Sequence, residues 1–135
     1  MKRVLIIPCS GIGKTFGSVA REGAYIVTED LRPDTTCLMP LSLVVLGEAD
    51  VRRTLAESEV VTIDGCKLAC AAKVVDAAGG RVSHATQVLD VYRRHRDLKP
   101  SGIAELNENG QKLASALAAE VAELLDKTAG EVKNA

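Results

Sequence analysis

Two short apolar runs, each halted by a turn, constrain this chain more than any other feature. Val4-Leu5-Ile6-Ile7 stops at Pro8-Cys9-Ser10-Gly11-Ile12-Gly13, and Val60-Val61-Thr62-Ile63 stops at Asp64-Gly65. Apolar runs of this length, bounded by turn residues, read as buried strands. Helical patterns lie between and after them. Residues 14–30 place Phe16, Val19, Ala20 and Ile26 on one face, and Pro33 lies beyond their end. Residues 48–57 read as a short helix, and residues 68–78 as an alanine-rich one stopped by Gly79-Gly80. Residues 112–127 are amphipathic, with Leu113, Leu117, Val121, Leu124 and Leu125 along one side. Residues 81–89 read as a third strand. Residues 36–46 stay ambiguous, because short apolar runs do not declare their period. Strands alternating with helices predict an α/β fold: a single domain over residues 1–135, with a small parallel or mixed sheet flanked by helices in Rossmann-like layers.

Sheets of this kind bind ligands at the carboxyl ends of their strands. Cys9 follows the first strand and Cys66 follows the second, so both thiols are expected at one edge of the sheet. A chain of 135 residues buries a core without cross-links. Its aromatic residues are Phe16, Tyr25 and Tyr92, so Val, Leu, Ile and Ala must fill that core. Lys plus Arg is 17 and Asp plus Glu is 18, a net charge of −1, which argues against nucleic acid as a partner. The basic cluster Arg93, Arg94, Arg96 and Lys99 reads as a solvated segment. Met1-Lys2-Arg3 and the apolar run after it are too short for a secretory signal. No apolar stretch approaches the roughly 18 residues of a membrane span. The expected location is cytoplasmic, where thiols stay reduced and cysteines serve metals or catalysis rather than disulfides. The expected partner is a metal ion, with no membrane. The sequence does not decide protein partners or oligomeric state.

The four cysteines are Cys9, Cys37, Cys66 and Cys70, with 27, 28 and 3 residues between them. That spacing is not a zinc ribbon or finger. Cys66 and Cys70 are four apart and share a face if a helix begins near Cys66. There the helix dipole favours the thiolate, the form that binds metal or attacks disulfides. On spacing alone, the rival reading is that they are small buried hydrophobes.

Ile63-Asp64-Gly65-Cys66-Lys67-Leu68-Ala69-Cys70-Ala71 resembles the signature of the DGC-domain family, named for its Asp-Gly-Cys motif. Pro8-Cys9-Ser10-Gly11-Ile12-Gly13-Lys14 and Ala20-Arg21-Glu22-Gly23-Ala24-Tyr25 resemble that family too. The likeness runs over residues 3–92 and more loosely to the C-terminus. Lys67 stands where the family often has proline. The resemblance implies a zinc-binding domain whose chelating residues are Cys9, Cys37, Cys66 and Cys70. Four thiolates close a tetrahedral zinc shell. The same four also hold an iron–sulfur cluster in other proteins, and the Cys66/Cys70 pair alone suits thiol redox work. Asp64 is either a partner of the ligands or a turn residue. Lys14 either offsets thiolate charge or lies in solvent.

Two further motifs point elsewhere. Pro8 to Thr15 matches the end of a phosphate-binding loop, Gly13-Lys14-Thr15, but Pro8 replaces its leading glycine. Val60-Val61-Thr62-Ile63-Asp64 has the look of its magnesium-coordinating companion strand, so a P-loop-like nucleotide-binding enzyme is the third alternative. His95-Arg96-Asp97-Leu98-Lys99-Pro100 matches the start of a kinase catalytic loop. Gly102 takes the place of its asparagine and every supporting part is missing. The histidines are His84 and His95, and no catalytic set can be assembled from them.

Overall fold

Each apolar run becomes a central strand. The computed structural model describes residues 3–134. Strand β1 is Val4–Pro8 and β3 is Val60–Asp64, with all five residues of β3 buried. Between them in sequence lies β2, Thr36–Leu38, and after them β4, Val82–Gln87. The spatial order is β2-β1-β3-β4 and every pairing is parallel. β1 and β3 are flanked on both sides, so they need apolar residues throughout. β4 is an edge strand, and Ser83 and Ala85 on it are exposed.

Helices α1 (Thr15–Tyr25), α5 (Val88–Arg94) and α6 (Glu108–Asn134) pack on one another, while α2 (Leu41–Leu46) packs on α3 (Ala49–Glu57) and α4 (Cys70–Ala77). The chain steps from β1 outward to β2, then returns past β1 to β3 and β4. Between β1 and β3 the direction of winding reverses, the position at which sheets of this kind bind ligands.

The helix expected over residues 14–30 divides. α1 gives way to a π-helical turn at Ile26–Leu31, ended by Arg32, whose N–H bonds Val27 O at 2.8 Å. The ambiguous stretch resolves into β2 and α2, with Gly47 at φ 72° ending α2. The strand expected over 81–89 ends at Gln87, and Val88 and Val91 are buried on α5 instead. A strand running straight into a helix merges two apolar patterns, which hides the boundary. α6 starts before residue 112 because the Asn107 side chain accepts the N–H of Gly110 at 2.8 Å, an N-cap.

Leu113, Ala114, Leu117, Ala118 and Val121 of α6 have no exposed surface, and Leu124 lies at the margin. Leu117 fills the hollow left by Gly23 of α1, where an added Cβ would sit 2.6 Å from Leu117 Cδ2. Among the described residues, no helix is long and apolar enough to cross a membrane.

Candidate metal centre

Cys9 and the Asp64-Gly65-Cys66 turn stand side by side at the carboxyl ends of β1 and β3. Cys9 is the first residue after β1 and is 7% exposed. Its backbone N–H continues the sheet by bonding Ile63 O at 2.8 Å. Its Sγ accepts the N–H of Gly65 at 3.3 Å, which ties the β1 loop to the β3 loop. This contact is possible because three backbones meet with no side chain between them. A Cβ on Gly11 would lie 2.4 Å from Gly17 Cα, and one on Gly65 would lie 2.9 Å from the Phe16 carbonyl carbon. Gly11 also takes φ 49°, a conformation that suits glycine.

Burial pushes the Cys9 thiol above its usual value, and the charges of Asp64 and Cys66 add to this; the Gly65 N–H and Arg21 work against it. A neutral buried thiol is a poor nucleophile.

Asp64 ends β3 and is 2% exposed. Its carboxylate accepts the N–H groups of Ala71 at 2.8 Å and Ala72 at 3.2 Å. It therefore serves the open N–H groups of α4. In the β1 loop, the Lys14 N–H bonds Gly11 O at 3.1 Å, so the turn closes on itself.

Cys66 does not begin a helix. It opens a turn in which the Ala69 N–H bonds Cys66 O at 3.2 Å, and α4 starts at Cys70. Ala69 sits between the two thiols in the left-handed region, at φ 51° and ψ 48°. A non-glycine residue held there costs about 1–3 kcal/mol. Cys66 lies outside the helix, and Cys70 is its first residue. Both thiols are exposed and free.

Cys37 lies elsewhere. It is the middle residue of β2, exposed, with its Sγ 3.7 Å from Leu38 O. Its partner in register is Leu5, four residues before Cys9. At a strand rise of about 3.3 Å per residue, that sets Cys37 roughly 13 Å back from the sheet edge. Ligands of one zinc, at about 2.3 Å each, stand within about 5 Å of one another. Cys9, Cys66 and Cys70 thus share an edge that Cys37 does not reach in this conformation. Among the described residues, no three Cys, His, Asp or Glu side chains stand close enough to hold a metal as folded. The donor chemistry suits a soft cation, and the arrangement is open rather than closed.

His84 lies on β4, where Nε2 meets Thr128 Oγ1 of α6 at 3.0 Å; it is a structural tie far from the thiols in the fold. Sequence reasoning missed Gly17, which brings the loop onto α1. A glycine inside a helical pattern was the signal available.

Searches of curated proteins and of solved structures return no match. A family model, the DGC domain, matches residues 5–110, which span β1 to the start of α6 and include all four cysteines. The chain belongs to the DGC-domain family.

Proposed function

We propose that this chain binds a thiophilic metal ion, zinc first, at the carboxyl ends of β1 and β3. The observation that carries this is the bond from the Gly65 N–H to Cys9 Sγ, which holds the Asp64-Gly65-Cys66 turn against Cys9 at the sheet's carboxyl edge. Cys9, Cys66 and Cys70 would hold the ion, and a bound zinc supplies Lewis acidity or cross-bracing there. The four-cysteine version adds Cys37 and requires β2 or its neighbours to shift. Ala69, held left-handed, marks the turn whose rearrangement would draw Cys66 and Cys70 towards Cys9.

Elemental analysis of protein purified anaerobically tests the proposal. About one zinc per chain is expected. Cys70→Ser should lower it, and Cys37→Ser separates the three-thiolate version, which keeps the metal, from the four-thiolate version, which loses it. Iron with acid-labile sulfide would replace zinc by a cluster on the same ligands. Neither metal, with four free thiols, would sink the proposal.

A second reading draws on the exposure of Cys66 and Cys70 alone. As a dithiol pair, they would cycle through a disulfide between themselves, with two electrons and two protons passing to an external disulfide. Failure to form that bond in metal-free protein under a glutathione disulfide gradient excludes it.

A further inference from the structure

Beside the thiol edge, outside the carboxyl ends of β1 and β2, lies a separate cleft of about 440 Å³. That volume is in the range of small-molecule sites. Ile12, Leu38, Pro40 and Leu41 give it apolar walls, and Ser10, Ser42 and Tyr25 add hydroxyl groups. Arg21 of α1 is the charged residue of this lining, which contains no acid. Among the described residues, no carboxylate lies within 4.0 Å of the Arg21 guanidinium.

Arg21 is held in place by protein groups that carry no charge. Nη1 donates to Ser10 O, and Nη2 donates to Ser18 Oγ at 3.2 Å. Ser18 can accept because its own hydroxyl donates to Ile103 O at 2.5 Å. A guanidinium has five N–H donors in a fixed plane, so these two bonds fix its position and leave donors over. A half-buried cation with spare donors, in a cleft with no acid, is complementary to one negative charge. A single arginine with no neighbouring lysine in the lining matches a carboxylate, which takes the guanidinium fork in two parallel bonds.

We propose that this cleft binds a small organic carboxylate, its charged end on Arg21 and its apolar body between Leu38, Pro40 and Leu41. The site neither requires the thiols nor rests on a metal. It stands next to them because Pro8 and Ser10, which flank Cys9, also border the cleft.

The test titrates the full chain with benzoate and with 4-methylpentanoate, each against its neutral amide, and follows backbone amide shifts by NMR. At least one carboxylate is expected to bind saturably, with shifts centred on Ile12, Leu38 and Ser42, and its amide roughly tenfold more weakly or worse, as for loss of a charged hydrogen-bonded pair. Arg21→Gln should weaken the carboxylate by a similar factor. Ser42→Trp, on the exposed side of α2, fills the cleft and should abolish binding with Arg21 intact, which keeps the test decisive if Arg21→Gln fails to fold. Cys66→Ser should leave binding unchanged; its loss there would mean the carboxylate ligates a thiol-held metal, and would overturn the proposal. Absence of binding by both acids, equal binding of acid and amide, or binding that survives Ser42→Trp would overturn it as well.

Discussion

The close approach of the β1 loop to α1 yields a sharp prediction at Gly17. A methyl group added there would sit 2.5 Å from both Cα and O of Gly11 and 2.8 Å from its carbonyl carbon. Carbon atoms in contact settle at about 3.5–4.0 Å, so the loop must retreat by roughly 1 Å. All three opposing atoms are backbone, so no side-chain rotation relieves the clash. Overpacking of this kind costs about 1–3 kcal/mol, and the severity here points to the upper end. Replacing glycine by alanine within a helix returns about 1 kcal/mol. Gly17→Ala should therefore destabilise the fold by about 2 kcal/mol, the difference of those two effects. For a domain of this size that lowers Tm by roughly 6–8 °C. Gly130→Ala is the matched control, since nothing lies within 4 Å of its added Cβ on α6. It should be neutral or stabilising by up to about 1 kcal/mol. Thermal and urea denaturation of both variants, metal-free, provide the measurement. A Gly17→Ala protein that melts with the parent or above it would refute the packing described here, and with it the reason Cys9 meets Gly65.

Other outcomes follow from single residues. Under limiting iodoacetamide, peptide mapping of metal-free protein should find Cys37, Cys66 and Cys70 alkylated well before Cys9, which is buried and held protonated. Asp64→Ala should cost about 2 kcal/mol, because the Ala71 and Ala72 N–H groups lose their acceptor, and urea midpoints check it. Leu117→Ala should cost about 3 kcal/mol by opening a cavity between α6 and α1, read in the same way. The Arg32 guanidinium bonds Asp126 through Nε at 2.9 Å and Nη2 at 2.5 Å, which holds that carboxyl below its usual 3.8. The support this ion pair gives is fully present above pH 3.8 and is lost as pH falls through the lower folded value. Acid denaturation of Asp126→Asn should lack that component, and a curve superimposable on the parent's would count against it.

The sheet was legible because β1 and β3 are central, and burial on both faces demands the unbroken apolar runs that betray them. The edge strands were harder to read. Thr36-Cys37-Leu38 is too short for any period to show, and Val82–Gln87 runs into α5 with no turn between. The placement of Cys9 and Cys66 at one edge follows from strand ends alone. What the sequence could not give was depth along a strand. Cys37 pairs with Leu5, and register of that kind is set by how α1 and the π-helical turn return the chain. α4 begins at Cys70, two residues after the expected start, so Cys66 lies in the turn before it and Asp64, a turn residue by pattern, accepts the first N–H groups of the helix.

The contact between Cys9 and Gly65 joins residues 56 apart in the chain. Closing so long a loop is an entropic cost that the hydrophobic core must meet first. That core draws on β1, β3, α1 and α6, and Cys9 is the one cysteine in it. On the proposed metal reading, folding therefore brings the Asp64-Gly65-Cys66 turn onto Cys9 before any ion binds, whereas a zinc finger needs its ion to fold. A bound ion then adds stability in proportion to the logarithm of its concentration over Kd. Proteases sample the transiently opened chain. Copies without metal would be opened more often and cleared sooner, so the supply of the ion would set the lifetime of the protein.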